Sequence, residues 1–258
     1  MSNIKIIFFD IDGTLIDMKR KLISANTLYT LKRLKENKII ICLATGRSPI
    51  VLPHFNEIEF DAFLTYNGSY CYNQKDIIFS NPLSNDDVST IINNAAQINR
   101  PLSLATKSRM AANGKDDDLI KYYGFANHNV EVADDFNDVA KEEIFQILIG
   151  CRKEDHPLLL KNVHNAKITF WWDNAADIIP ATGRKGFGIQ KVLEYYNLDK
   201  SEAMAFGDGN NDIEMLKAVG TGVAMGNASD DLKKATTDIC GSTADDGIYH
   251  YCIEKHLI

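Results

Sequence analysis

Two aspartates one residue apart close the most hydrophobic stretch of the chain. In "IKIIFFDIDGTLID", residues 4–17, Ile4 to Phe9 are apolar apart from Lys5, and Asp10 and Asp12 follow with Gly13 behind them. Alternate residues of an extended segment project to the same side, so both carboxylates can reach one substrate. Such a pair can serve as nucleophile, proton carrier or cation ligand. Asp-Gly is also a common turn, so the pair alone does not choose among these. Three more polar constellations stand out: "TGR" at 45–47, "RKG" at 184–186 and "GDGNND" at 207–212. Each has an ordinary reading. "TGR" could be a plain strand exit, Lys185 solvated surface, and Asp208 and Asp212 caps of the helix that follows.

The elements that must position these residues argue for convergence. "KIIFFD" and "IIICLAT" read as buried strands, with the helical pattern of "SANTLYTLKRLKENK" between them, Ser24 as its cap and Leu28, Leu31 and Leu34 on one face. "AFLTYNGSYCY" reads as a hairpin about an Asn-Gly turn. Strand–helix–strand with near-continuous apolar strands predicts a parallel sheet covered on both faces. From about Pro82 to Ile179 the pattern changes. "SNDDVSTIINNAAQI" and "KEDHPLLLKNVH" read as helices; "PLSLATKSRMAAN", "KEEIFQILIGC" and "AKITFWWD" read as half-polar strands of an antiparallel sheet. After the helix "GRKGFGIQKVLEYY" the buried pattern returns, with "EAMAFGDGNNDIEMLKAVG" as strand, loop and helix ending at Gly220, then the short strand "GVAM". The expected fold is α/β: a doubly wound, Rossmann-like parallel sheet core over 1–81 and 181–258, with an inserted α+β domain over 82–180. In such a sheet ligands bind outside the carboxyl ends of the strands, where three of the four constellations lie while the fourth opens a helix.

Bulk properties exclude several classes. The chain has 258 residues, 45% of them hydrophobic, and a net charge of −7. An acidic chain with no run of Lys or Arg argues against nucleic acid as the main partner and against an anionic membrane surface. Cys42, Cys71, Cys151, Cys240 and Cys252 form no CxxC pair, so neither a disulfide framework nor a zinc site is suggested. "MSNIKIIFFD" reaches an acidic residue too soon for a signal peptide, and no run approaches the ~18 apolar residues of a spanning helix. A cytoplasmic protein, monomeric or weakly homo-oligomeric, is expected. The six histidines show no metal-ligand spacing.

"FFDIDGTLID", "ATGR", "RKGFGI" and "AFGDGNNDIEML" together resemble the four motifs of the haloacid dehalogenase superfamily. Their order, with an insert between the second and third, is similar to that of its Cof-like sugar phosphatases, which carry a type IIB cap. Arg184 stands where the family pattern has a small residue. The resemblance implies a phosphatase for small phosphorylated metabolites. Asp10 would attack phosphorus and form an aspartyl-phosphate; Asp12 would protonate the leaving alkoxide and then deprotonate the attacking water. A carboxylate approaching a phosphate dianion needs cations nearby. The resemblance implies Mg2+, held by Asp10, Asp208 and the backbone carbonyl of Asp12, with Asp212 supporting from behind. Lys185, the Thr45 hydroxyl, the Gly46 and Ile11 amides and the Asn211 side chain would hold the phosphate. Arg47 either faces this site or forms a structural ion pair, and Asp17 is expected to stabilise the loop after Gly13.

The insert is expected to cover the site and touch the organic part of the substrate. Lys107, Arg109 and Asn113 are its polar candidates; of the adjacent Trp171 and Trp172, only one can face a given side of a strand, and core packing is the reading favoured for both. Two alternatives stand beside the phosphatase reading: a phosphomutase of the phosphomannomutase type, and a non-catalytic regulator that binds a phosphorylated ligand.

Overall fold

The computed structural model describes residues 4–55, 58–125 and 128–258, with the side chain of Trp171 also outside the described residues. The chain divides into two compact units. One comprises Met1–Gly46, Pro53–Ser80 and Arg184–Ile258; the other comprises Arg47–Leu52 and Asn81–Gly183.

The first unit starts with β1 (Ile6–Phe9), buried at all four residues, as a central strand must be when helices cover both faces of its sheet. In α1 (Ala25–Glu36) the Ser24 hydroxyl accepts the Thr27 amide at 3.0 Å, satisfying one orphan donor of the first turn. Leu31 and Leu34 of α1 are buried. β2 (Ile40–Ala44) pairs with β1 and β3 (Ala62–Thr65) with β2, all parallel. The chain then turns back into β4 (Tyr70–Tyr72), antiparallel to β3, and β5 (Ile77–Ser80), antiparallel to β4. The Asn-Gly hairpin is present, but its turn is a 3-10 segment over Tyr66–Gly68.

The second unit contains α2 (Asn85–Gln97), β6 (Leu102–Ala105), β7 (Met110–Ala112), α3 (Asp117–Gly124), α4 (Phe136–Val139), β8 (Gln146–Gly150), α5 (His156–Leu159), β9 (Ala166–Trp172) and β10 (Ala175–Pro180). Its sheet has the order β7-β6-β8-β10-β9 and is antiparallel throughout. Val88, Ile91 and Ala95 of α2 pack with Leu102, Ile147 and Ile178 to form its core. Three elements of this unit escaped the sequence patterns, α3, α4 and β10. "KEDHPLLLKNVH" is also shorter than expected: a 3-10 turn at Lys153–Asp155 and a four-residue α5. The Asp155 carboxylate takes the Arg152 amide at 2.9 Å, which favours a tight turn, and Asn162 adopts a left-handed φ of 60° beyond α5.

The chain returns to the first unit with α6 (Lys185–Tyr196), β11 (Ala203–Gly207), α7 (Ile213–Ala218), β12 (Thr221–Ala224), α8 (Asp230–Ala235), β13 (Asp238–Ile239) and α9 (Gly247–Glu254). The eight-stranded sheet runs β13-β12-β11-β1-β2-β3-β4-β5, parallel from β13 to β3. From β1 the chain winds outward through β2 and β3; from β11 it winds the other way through β12 and β13. The winding reverses between β1 and β11, and a crevice at such a reversal is where a doubly wound sheet binds its ligand.

Candidate active site

Phe9 and Phe206 are register partners on β1 and β11, their rings stacked with centroids 5.4 Å apart. The Asp10 amide continues the ladder, donating to the Phe206 carbonyl at 3.0 Å. The carboxyl ends of the two strands therefore deliver Asp10 and Asp208 side by side. Lys185, the first residue of α6, is buried, and its Nζ donates to Asp10 Oδ1 and to Asp212 Oδ1, each at 2.6 Å. Asp212 also uses its other oxygen: Oδ2 accepts the Asp208 and Gly209 amides at 3.0 Å each. Carboxylate oxygens of Asp10, Asp208 and Asp212 lie within 4.8 Å of one another.

Gly13 makes this approach possible. Its φ is +89°, and a Cβ there would fall on the Asp208 carboxylate. The Thr14 hydroxyl donates to Asp208 Oδ1 at 3.2 Å. Asn227 Nδ2 donates to the Gly13 carbonyl at 2.8 Å and, more weakly, to Asp208 Oδ2 at 3.4 Å. The Thr243 hydroxyl donates to the same Gly13 carbonyl.

Burial pushes the Asp10 carboxyl up to about 8, with Asp212 and Asp208 adding to it while Lys185 pulls the other way. Burial, then the charge of Asp212, raises Asp208 to about 6. Burial disfavours the Lys185 ammonium, but Asp10 and Asp212 outweigh it and hold its pKa above the ordinary lysine value. Lys185 is thus a fixed cation. The carboxyl shifts report surplus negative charge in a dry site: three carboxylates face one ammonium. A bound cation relieves that surplus, and oxygen-only donors suit a hard divalent metal. Because Lys185 and two amides occupy Asp212, Asp10 and Asp208 are the better placed donors.

The solvated-surface reading of Lys185 fails, since the side chain is wholly buried. The capping reading fails for Asp212, which makes no side-chain cap to α7 and instead holds the loop ahead of it. Thr45 and Gly46 follow β2, the strand beside β1, with the Thr45 amide donating to Leu64 O at 2.8 Å. The Ile11 side chain is buried, and Asp12 is half-buried with its backbone bridged to Ile16. Asn211 lies exposed in the 3-10 turn Asn210–Asp212, and among the described residues no hydrogen bond joins it to the carboxylates. Asp17 Oδ1 accepts the Lys19 and Arg20 amides at 2.7 and 3.0 Å, as expected of a loop-stabilising residue. Arg184 points to Glu214 in an exposed ion pair at 2.9 Å.

In the second unit, Arg47 donates to the Val51 carbonyl at 3.2 Å. Arg109 is engaged by Asp135 at 2.8 Å and Glu142 at 3.2 Å, and Asn113 accepts the Leu102 amide at 2.9 Å, so both do structural work. Lys107 is exposed, and Trp172 packs edge-on against Phe125. The expectation for Trp171 falls outside the described residues.

Thr14, Asn227 and Thr243 were not read from the sequence. "GVAMGNAS" offered a signal for Asn227, since it too ends a strand of the parallel sheet at the same edge. "GSTADDG" offers none for Thr243.

Residues 7–252 match the family of haloacid dehalogenase-like hydrolases. YkrA of Bacillus subtilis (strain 168) is 32% identical over 256 residues, covering 98% of each chain. The 5-amino-6-(5-phospho-D-ribitylamino)uracil phosphatase YitU of the same organism is 30% identical over 263 residues, 96% of each. The solved structure of the subclass IIB sugar phosphatase BT4131 superimposes with a TM-score of 0.85 at 26% identity, over 98% of this chain and 100% of that one. A family pattern that spans almost the whole chain thus agrees with the motifs and the sheet edge that gathers them, and the chain belongs to the haloacid dehalogenase-like hydrolases as a phosphatase.

Proposed function

We propose that the chain hydrolyses phosphoric monoesters of small metabolites, sugar phosphates foremost, using Mg2+ and a transient phosphoryl group on Asp10. The observation that carries this reading is the clamping of the buried Lys185 between Asp10 and Asp212 beside Asp208, at the reversal of the sheet. An ammonium has three N–H donors. Two serve the carboxylates, and the third is suited to a phosphoryl oxygen. Asp10 and Asp208, with the Asp12 carbonyl, would hold the metal, which when bound would offset phosphate charge and orient the ester for in-line attack.

An Asp10 oxygen attacks phosphorus, the ester P–O bond breaks, and a protonated Asp12 gives its proton to the departing oxygen. Water then attacks the aspartyl-phosphate, Asp12 takes the water proton, and cleavage of the Asp10 O–P bond releases phosphate and restores the carboxylate. The Thr45 hydroxyl, the Gly46 and Ile11 amides and Asn211 bind the phosphoryl oxygens. Asp212 keeps Lys185 charged and the Asp208 loop in place. Substrate choice is assigned to the inserted residues 82–180, acting as a cap. Sugar- or ribityl-linked phosphates are the favoured class, because relatives are named for a sugar phosphatase and a phosphoribitylamino-uracil phosphatase.

A screen of phosphorylated metabolites with Mg2+ tests the proposal. Phosphate release from a subset of sugar phosphates is expected. An isomerised ester without free phosphate would make the protein a mutase, and absence of any turnover would overturn the catalytic reading.

A further inference from the structure

Three consecutive residues of the turn between β3 and β4 sit in the left-handed region: Tyr66 (φ 51°), Asn67 (53°) and Gly68 (83°). Only the last is a glycine. A tyrosine at positive φ is a genuine outlier, and strain of this kind persists where the surroundings over-determine it and often marks a functional site. The surroundings here are two of the loops already described. The Asn67 amide donates to the Thr45 carbonyl at 3.0 Å. A Cβ on Gly68 would lie 2.7 Å from the Arg184 carbonyl, so the turn packs directly against the start of α6 and Lys185. Tyr66 and Gly68 are buried, whereas Asn67 between them is only half-buried. The turn is thus wedged between the "TGR" loop and the base of Lys185.

What this wedge presents is the Asn67 carboxamide. Both of its polar atoms lie 3.2 Å from the position that a Cβ on Gly46 would take. The side chain therefore fills the space left by the missing Gly46 side chain, alongside the peptide assigned to phosphate. Among the described residues none hydrogen-bonds this carboxamide. A half-buried amide held by a strained backbone and left without a protein partner is suited to a ligand.

We propose that Asn67 is a further phosphoryl-contacting residue, its Nδ2–H donating to an oxygen of the group held by Thr45, Gly46 and Lys185. This rests on the phosphatase reading above. It also gives the left-handed turn a purpose: with Asn67 in an ordinary extended conformation, the carboxamide would be carried away from Gly46. Asn is among the few residues besides Gly that visit this backbone region routinely, so the position admits a carboxamide where most side chains would be excluded.

The test uses the whole chain with Mg2+, an aryl phosphate as substrate and orthovanadate as a phosphate-like inhibitor. Asn67→Gly keeps the left-handed backbone and removes only the carboxamide. Asn67→Asp keeps the shape and places a negative charge beside the phosphate. Asn67→Gly is expected to raise both KM and the vanadate inhibition constant by about tenfold or more, the scale of one hydrogen bond to a charged group. Its melting temperature should stay near that of the wild type, and Asn67→Asp should lose more affinity than Asn67→Gly. An active wild type with unchanged KM and vanadate inhibition in Asn67→Gly would overturn the Asn67 contact alone. A wild type that neither hydrolyses the ester nor binds vanadate would overturn the phosphatase reading, and the contact with it.

Discussion

Lys185 Nζ lies 2.6 Å from Asp10 Oδ1, although 175 residues separate the two in the chain. The ion pair is buried on both sides, so loss of the ammonium would leave Asp10 and Asp212 uncompensated, whereas loss of the Asp10 charge leaves Lys185 its bond to Asp212.

Lys185→Met should lower kcat by about 10²-fold or more, the scale of removing one preorganised electrostatic stabiliser. Lys185→Arg should rescue only part of it, because a planar guanidinium does not copy a compact ammonium bridging two carboxylates. Steady-state kinetics on an aryl phosphate measure both; wild-type rates in Lys185→Met would place the residue outside the chemistry.

Asp10 and Asp12 should separate in single-turnover experiments. In Asp12→Ala an aryl phosphate with a good leaving group should still phosphorylate Asp10, giving a burst of aryl alcohol and then slow turnover, since the base that activates water is gone. Asp10→Asn should show no burst. Mass spectrometry of the quenched Asp12→Ala protein should find the phosphate on the peptide that contains Asp10; an adduct on a histidine would refute the assignment.

Metal dependence follows from the surplus of carboxylates. Activity should vanish in a strong chelator and return on adding Mg2+. Mg2+ should also raise the melting temperature of the wild type, because it binds the folded cluster and not the unfolded chain. Asp208→Asn should abolish most of that shift. Equal melting with and without Mg2+ would argue against Asp208 as a ligand.

Gly13→Ala should damage the site at its hinge. The substitution strains a backbone at φ +89° and drives a methyl group into the Asp208 carboxylate. A loss of at least about 1 kcal/mol in stability is expected from the backbone alone, together with weaker Mg2+ binding by calorimetry. Native affinity in this variant would mean that the loop relaxes without cost.

In the second unit, burial pushes the Asp177 carboxyl up from 3.8 to about 6, against hydrogen bonds from Tyr122 and Gln146. A raised carboxyl favours the folded state when protonated, so its contribution is present below the unfolded value and lost as pH rises through about 6. Asp177→Asn stays neutral throughout. Its melting temperature relative to the wild type should therefore climb between pH 4 and pH 6, by a few degrees on the usual scale for a domain of this size. A pH-independent difference would show that Asp177 titrates normally.

The core was legible because its strands announce themselves. Ile6–Phe9 and Ile40–Ala44 are unbroken apolar runs that end in polar residues, and the doubly wound pattern follows from them. Lys185 was legible only through its motif, since nothing local in "GRKGFG" distinguishes a buried lysine from a solvated one. The second unit was harder to read. In β10 two buried alanines precede Asp177, which hides the two-residue alternation of a strand. Before α3 the run "KDDD" reads as a solvated loop, yet Asp116 caps the helix at 2.8 Å and Asp117 and Asp118 sit where the helix dipole favours negative charge. Asn227 and Thr243 reach Gly13 across 214 and 230 residues, contacts that no local pattern encodes.

The position of β1 between β2 and β11 constrains how the protein is made. Synthesis is vectorial, so Ile6–Phe9 leaves the ribosome long before Ala203–Gly207, its partner on one side. The nascent sheet must wait with an apolar, unpaired edge while the whole second unit is translated. Such an edge invites pairing with other chains, and late closure of a parallel sheet is slow. The second unit has its own antiparallel sheet and core and can condense during this interval. Neither Lys185 nor Asp212 exists until the final third of translation, so a nascent chain that stops short of residue 212 lacks the Lys185–Asp212 clamp.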